Sequence, residues 1–162
     1  MKDALAELLQ EITSQPALEN DFYRRWMSGS FSIEELEVFA RNYEAWVKSF
    51  PDALATLVGA TDDLDAKGEY VKTLYSEMGY GNSSKAHSVL LDHFFAELAR
   101  KLGEGGRLDR DRLEREIEML PSTRELIEGE RELYGDAHMS FGAQLALEWQ
   151  AYTMLRKLYD GA

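Results

Sequence analysis

Three side chains in this sequence combine metal-binding or acid–base chemistry with a place on the apolar face of a predicted helix: Glu77, His87 and Glu148. Burying an ionised carboxylate costs several kcal/mol unless it is paired, hydrogen-bonded or bound to a metal ion. Apolar residues normally fill such positions. An acid or a histidine found there is therefore a candidate functional residue.

Glu148 lies in the middle of the apolar stripe of the last predicted helix. The stripe positions recur in steps of three or four residues and are Ala137, Phe141, Leu145, Glu148, Tyr152, Leu155 and Tyr159. Two interpretations are open. Glu148 either lies at the edge of a tilted stripe or pairs with an arginine or a tyrosine hydroxyl, or it binds a metal ion or transfers protons.

His87 begins another apolar stripe, which places its imidazole inward near the start of a predicted helix over Lys85–Leu102. The stripe contains His87, Leu91, Phe94, Leu98 and Leu102. A lone inward histidine is more often a core residue with a hydrogen-bond partner than a ligand. Glu77 lies one turn beyond Leu74, just before the Gly79–Gly81 break, and this short link can return His87 to it. A carboxylate beside an imidazole suits iron, manganese or zinc.

Three further side chains are weaker candidates. Glu44 lies on or beside the stripe of the longest predicted helix, where it either accepts a hydrogen bond from a ligand residue or forms a salt bridge. His138 lies about 15 Å from Glu148 along the helix axis and is interpreted as a helix-start residue. His93 is predicted at the surface. We find no Glu-x-x-His pair, phosphate-binding loop, dinucleotide fingerprint or nucleophile elbow.

The elements that position these residues all have helical period. Ser32 and Glu35 form a capping box that opens the longest helix, and Pro51 is expected to bend this helix without ending it. The apolar stripe of that helix is Ile33, Leu36, Ala40, Tyr43, Val47, Phe50, Leu54 and Leu57. Further helices are predicted over Asp109–Met119, after Pro121, and from Asp136 to about Tyr159. We expect an all-α bundle of six to eight helices in a single domain over residues 1–162.

Composition narrows the function classes. The 162 residues carry 30 acidic and 18 basic side chains, a formal net charge of −12, and no cysteine. The negative field disfavours nucleic acids and anionic membranes as partners. The lack of cysteine excludes disulfides, thiolate metal sites and cysteine nucleophiles. No apolar run approaches the roughly 18 residues of a membrane span, and residues 1–10 do not resemble a signal peptide, so we expect a cytoplasmic protein.

Several motifs in this order resemble the haem-oxygenase-like non-haem di-iron oxidases and oxygenases, a superfamily that also contains thiaminase-II-like and PQQ-synthase-like proteins. The likeness extends over essentially the whole chain. The fold of this family implies that the chain forms a compact haem-oxygenase-like helical bundle. The matching segments are Asn20–Gly29, Ser32–Leu36, Phe50–Pro51 with Leu54–Ala55, Glu77–Gly81 with Ala86–Ser88, and Gly142–Glu148.

By this resemblance Glu77, His87 and Glu148 are iron ligands. Family members continue into a further helix with a His…Asp…His set that completes two iron sites. This chain ends at Leu158–Ala162, where that helix would begin, so a bundle truncated at its C-terminus is expected. The complete site implies two irons, and this chain holds two, one or none. Such enzymes use dioxygen to oxidise a small amine, amino acid or fatty acid.

Two other functions are open. One is a metal-free helical binding or assembly module that kept the fold and lost the chemistry. The other is a thiaminase-II-like enzyme, which the absence of cysteine opposes. A bundle without its last helix leaves an apolar groove that a homodimer, a swapped helix or a rearranged final helix would cover, and we expect self-association. The residues expected to line it are Phe141, Leu145, Tyr152, Leu155, Phe94 and Leu98.

Overall fold

The structure is a computed structural model that describes residues 2–161, with side chains from residue 4 onward. These residues form eight α-helices and two short 3-10 helices, at Pro16–Leu18 and Ser83–Lys85, and contain no strand, which confirms the all-α prediction. The α-helices are α1 (Lys2–Thr13), α2 (Asp21–Met27), α3 (Ile33–Ala60), α4 (Leu64–Glu77), α5 (His87–Lys101), α6 (Arg110–Glu116), α7 (Pro121–Gly135) and α8 (Ser140–Asp160).

The described chain separates into two compact units. One unit contains residues 2–31 and 141–161, and the other is Ser32–Ser140. The single domain over residues 1–162 stays a prediction. Within residues 2–161 no helix combines the length and the apolar content needed to cross a membrane.

Helix α3 is the central element of the Ser32–Ser140 unit, and α4, α5, α6 and α7 all pack against it. The predicted capping box is present: the Ser32 hydroxyl accepts from the Glu35 N–H, and the Glu35 carboxylate accepts from the Ser32 N–H. Pro51 lies inside the continuous helix. The predicted stripe is confirmed where α3 faces the core, at Leu36, Ala40, Phe50, Leu54 and Leu57.

Polar side chains of α3 fix the helices around it. The Asn42 side-chain oxygen accepts from the Leu120 N–H at 2.9 Å, and Trp46 donates its indole N–H to Glu130 at 3.1 Å. Buried Glu37 accepts hydrogen bonds from Arg107 and Arg112. These bonds hold the pKa of Glu37 below its ordinary value, and the bond from Arg107 has the larger effect. Each bond joins positions far apart in sequence, so the bonds help set the packing of these helices on α3.

Helix α5 turns a different face to the core from the one that its stripe predicted. Phe95 and Ala99 are fully buried, whereas Phe94 and Leu102 are exposed. Phe95 packs edge-to-face on Phe39 of α3, with ring centroids 5.9 Å apart. One residue along a helix is a rotation of about 100°, so neighbouring aromatic residues compete for a single core position. The sequence contains both candidates, and contact with α3 selects Phe95.

In the other unit, the C-terminal part of α8 is held against the segment around α2. Trp26 donates its indole N–H to the Leu158 carbonyl at 2.9 Å. Lys157 bonds the Leu18 carbonyl and the Glu19 carboxylate, and its ammonium lies 5.1 Å from the centre of the Tyr23 ring. These contacts involve one end of α8 and leave much of its apolar face uncovered.

Candidate metal centre

The chain reverses direction sharply after α4, and this turn positions Glu77 and His87. Gly79, Tyr80 and Gly81 all have positive φ, at +74°, +56° and +82°. Glycine adopts this left-handed region without steric cost, and Tyr80 is the non-glycine exception. The Tyr75 hydroxyl donates to the Tyr80 carbonyl at 2.9 Å. Three successive left-handed residues end α4 and turn the chain back.

Gly79 also permits a close approach of the backbone. A Cβ at this position would lie 2.3 Å from the Asn82 carbonyl oxygen and 2.6 Å from the Ala86 nitrogen. Such distances are far inside van der Waals contact, so no larger residue fits without movement of the backbone. Ala86 immediately precedes α5. Gly79 therefore sets the distance between the end of α4 and the start of α5.

The turn places the two side chains in direct contact. His87 Nδ1 lies 2.9 Å from Glu77 Oε2, as the short link predicts. The Glu77 side chain is 14% exposed and that of His87 is 47% exposed. The predicted inward imidazole is therefore wrong. His87 is the first residue of α5 and lies beside the turn, where neighbouring helices cover it only in part.

These two donor atoms suit a metal ion in chemistry and spacing. Carboxylate oxygen and imidazole nitrogen are both ligands of iron. Ligand bonds of about 2.1 Å at right angles place neighbouring donor atoms about 3.0 Å apart. Without metal, the two side chains contact each other directly, and an imidazole nitrogen must be free of its proton before it can bind an ion. Across the described residues no three His, Asp or Glu side chains form a group that could hold a metal ion. The pair alone fits part of an iron site.

Glu148 belongs to the other compact unit, in α8, and it is exposed. Gln144 donates its side-chain N–H to Glu148 Oε1 at 2.8 Å. The predicted inward stripe of α8 is wrong, because its members Phe141, Tyr152, Leu155 and Tyr159 are between 53% and 82% exposed. The buried positions of α8 are Ser140 and Gln144. Convergence of Glu148 with Glu77 and His87 stays a prediction, as does self-association.

The sequence did not single out one polar cluster in the Ser32–Ser140 unit. Glu44 of α3 is only 5% exposed. Within the described residues neither of its carboxylate oxygens has a hydrogen-bond partner, so the predicted salt bridge is wrong. Asp92 of α5 pairs through Oδ2 with Arg110 of α6, which also donates to the Ser88 carbonyl at 3.0 Å. In the sequence, only the position of Glu44 beside an apolar stripe indicated this cluster. No local pattern distinguished Asp92 or Arg110 as candidate functional residues.

Burial and like charge act on this cluster. Burial, and then repulsion from Asp92, raise the pKa of Glu44 to about 7, against weaker attraction to Arg110. Burial also raises the pKa of Asp92, although the Arg110 guanidinium opposes it. A carboxyl group without donors in a dry site favours its neutral form. Glu44 therefore keeps its proton to a higher pH than an ordinary glutamate does.

Comparison with known proteins gives the family. The iron-containing redox enzyme family matches residues 37–162. Three curated relatives are 4-aminobenzoate synthases of Chlamydia pneumoniae, Chlamydia muridarum and Chlamydia trachomatis, each 33% identical over 72 residues. Each match covers 44% of this chain and 32%, 30% and 31% of the respective relative, so the chain matches about a third of their length. No solved structure matches the chain significantly.

The family match includes the turn at Gly79 and both members of the carboxylate–imidazole pair, and it extends through α8. It covers well over half of the chain. It agrees with the all-helical fold and with ligand chemistry suited to iron. This chain therefore belongs to the iron-containing redox enzyme family.

Proposed function

We propose that this chain supplies part of the non-haem iron centre of an oxidase or oxygenase that acts on a small organic substrate. The iron ligands in this proposal are Glu77, His87 and Glu148. The observation that carries it is the 2.9 Å contact between Glu77 Oε2 and His87 Nδ1, inside the segment that matches the family. The likeness to 4-aminobenzoate synthases supports a small organic molecule as the reactant.

The two paired side chains have different tasks. Glu77 is mostly covered and contributes an oxygen donor with a negative charge. His87 is half exposed and contributes a neutral nitrogen once its proton has left. The exposed side of the imidazole leaves a path for the ion and space for further ligands. Iron would supply the one-electron and dioxygen chemistry that amino-acid side chains lack.

Ferrous iron binding tests this proposal directly. The full chain is loaded anaerobically, and bound iron is measured by elemental analysis and by competition with a chromophoric chelator. The ligand variants are Glu77→Gln, His87→Gln and Glu148→Gln. Matched controls are Glu69→Gln, an exposed acid of α4, and His93→Gln, an exposed histidine of α5.

Wild-type protein and both controls should bind iron alike. Each ligand variant should lose at least about tenfold in affinity, because one metal–ligand bond is removed. Circular dichroism will show that the variants remain helical. The proposal fails for the pair if His87→Gln binds iron as tightly as His93→Gln. It fails for the third ligand if Glu148→Gln behaves as wild type. A folded wild-type chain that binds no iron would favour the metal-free binding module.

A further inference from the structure

We propose that the outer face of α4 binds α4 of a second copy of this chain, with the two helices antiparallel. This face, which we call the α4 stripe, consists of Leu64, Gly68, Val71, Tyr75 and Met78. It belongs to the Ser32–Ser140 unit. The inference does not depend on iron binding. It assigns self-association to a different surface from the groove that the sequence predicted.

The α4 stripe is an apolar surface open to solvent. Its four large side chains are between 47% and 80% exposed. Helix α4 packs on α3, and Tyr70, about 120° around the helix axis from the stripe, is buried. The stripe therefore lies away from the buried side of α4. Single exposed apolar residues are common, but a continuous row of them along one helix marks an interaction surface.

The spacing of the α4 stripe fits a second helix as its partner. Successive members are four, three, four and three residues apart. This alternation is the spacing of the two core positions of a coiled coil, and it keeps the stripe in line along one side of the helix. Nothing lies within 4 Å of the Cβ position of Gly68, so a second backbone can approach closely there. A helix with matching spacing can therefore lie along the whole stripe.

Helix α4 of a second copy complements the stripe when the two helices run in opposite directions. If Leu64 of each copy lies opposite Tyr75 of the other, Gly68 lies opposite Val71, and the two-fold axis passes between residues 69 and 70. The contact then has four layers, and each kind of layer occurs twice, as two-fold symmetry requires. The small residues meet at the centre, where the backbones approach, and the large ones fill the two ends.

Charged residues beside the stripe favour the antiparallel direction. In this arrangement Asp65 of each copy lies on the same side as Lys72 of the other, about 3 Å away along the helix axis. The dimer therefore contains this pair of opposite charges twice. A parallel arrangement would instead bring Lys67 beside Lys72, and the two would repel. Lys72 also pairs with Glu69 of its own helix at 2.6 Å, but both side chains are exposed, so Lys72 remains accessible to a second acid.

The local charge of α4 permits self-association, although the whole chain is strongly acidic. The chain has a formal net charge of −12, whereas Leu64–Glu77 carries three acids and two bases and so has a net charge of −1. Exposed charges more than about 10 Å apart are largely screened at 0.1 M salt, so the charges near the contact dominate. Four layers bury less than the roughly 1,200 Å² of a stable interface, so we expect a weak dimer with a Kd on the order of 0.1 mM.

Sedimentation velocity and light scattering of the 162-residue chain test the proposal between about 10 µM and 1 mM, at about 0.1 M salt. Lys72→Glu turns the attraction to Asp65 into repulsion, and the double variant Asp65→Lys/Lys72→Glu restores the attraction with the charges exchanged. Lys101→Glu is the matched control, because it makes the same charge change at an exposed position at the end of α5. Val71→Asp places a charge at the centre of the stripe. Circular dichroism verifies that each variant remains helical.

Wild type and Lys101→Glu should dimerise alike. Lys72→Glu should raise the Kd about fivefold or more, because two attractive pairs per dimer become repulsive, and the double variant should return to within about twofold of wild type. The double variant cannot restore the Lys72–Glu69 bond within one helix, so its recovery reports a contact between copies. Val71→Asp should stay monomeric. A wild-type chain that is monomeric at about 1 mM, an undiminished dimer in Val71→Asp, or a double variant as weak as Lys72→Glu overturns the proposal.

Discussion

Two glutamates of the Ser32–Ser140 unit, Glu77 and Glu44, show how placement decides what a carboxylate can do. Glu77 ends α4 beside a turn, and its partner is an imidazole at 2.9 Å. Glu44 lies within α3, is 5% exposed and has no donor for either oxygen among the described residues. The Glu77 carboxylate therefore has a partner without any ligand, whereas the Glu44 carboxylate has none among the described residues.

This difference separates two kinds of carboxylate. At the Glu77–His87 pair a bound ion would replace an existing contact between the two side chains, so the folded protein does not need the ion there. At Glu44 the fold buries a carboxyl group that has no donor among the described residues, which destabilises its ionised form. Changes at the pair should therefore alter ion binding more than stability. Changes at Glu44 should alter stability first.

The largest effect on stability is expected from Gly79→Ala, which disrupts the turn that makes the pair. The new Cβ would lie 2.3 Å from the Asn82 carbonyl, and φ is +74°, so steric overlap adds to left-handed strain. We expect a loss of about 4 kcal/mol in the free energy of unfolding. Urea denaturation of the metal-free protein measures it.

Gly103→Ala is the matched control for this experiment. Gly103 has φ of +77°, but nothing lies within 4 Å of its Cβ position, so only backbone strain remains, at about 1 kcal/mol. Equal losses in the two variants would show that close approach at Gly79 does not hold the turn together. The geometric basis of the Glu77–His87 contact would then be wrong.

The next effect is a pH-dependent gain from Glu44→Gln. The pKa of Glu44 is raised from an ordinary value of 4.5 to about 7 in the folded chain. The neutral carboxyl is favoured on folding, so its stabilising effect is complete below pH 4.5 and is lost as pH rises through 7. Gln cannot ionise. The variant should therefore gain roughly 3 kcal/mol relative to wild type between pH 4 and pH 8.

Denaturation midpoints of the wild type and the variant at pH 4, 6 and 8 measure this difference. The other ionisable groups are the same in both proteins, so their contributions to the pH dependence largely cancel. Those nearest Glu44 are Asp92, Arg110, Glu114 and Arg41. Glu114→Gln is a control whose expected change in stability has the opposite sign. In the wild type, the bond from Lys48 holds the pKa of Glu114 below its ordinary value. That variant should lose slight stability at pH 8 and none at low pH. A flat difference for Glu44→Gln would mean that water satisfies the carboxylate.

Features encoded within a few residues were predictable from the sequence. The Ser32 capping box and the glycine break after Glu77 both appear as expected, because each depends on local hydrogen bonds or local φ preference. The approach of His87 to Glu77 also follows from a short link between two helices. The Glu77–His87 pair was therefore predictable from local sequence features, without knowledge of how the helices pack.

Features that depend on contacts between distant segments were not predictable. Phe94 and Phe95 are both apolar, and only contact with Phe39 selects Phe95 for the core. The α8 stripe has perfect helical spacing, yet Phe141 and Tyr152 are exposed, because periodicity identifies an apolar face without showing what covers it. The isolation of Glu44 is also a tertiary property, since its neighbours on α5 and α6 are remote in sequence.

The smallest effect is expected from Glu148→Ala, which tests whether the third proposed ligand resembles Glu77 or Glu44. Replacing a buried carboxylate without partners would raise stability by removing a desolvation cost. Glu148 is instead exposed and accepts one side-chain bond, from Gln144 at 2.8 Å. Surface substitutions of this kind change stability by less than about 0.5 kcal/mol. Thermal and urea denaturation of the metal-free chain should therefore match wild type, whereas ferrous iron affinity should fall.

Lys157→Ala is the control on the same helix, because Lys157 bonds the Leu18 carbonyl and Glu19 and is mostly covered. Its loss should cost about 1–2 kcal/mol, since it removes a charged donor from a buried carbonyl. A change above 1 kcal/mol in Glu148→Ala, in either direction, would show that Glu148 has a structural role. Unchanged stability with reduced iron affinity would place Glu148 with Glu77, as a carboxylate that binds the ion and that the fold does not require.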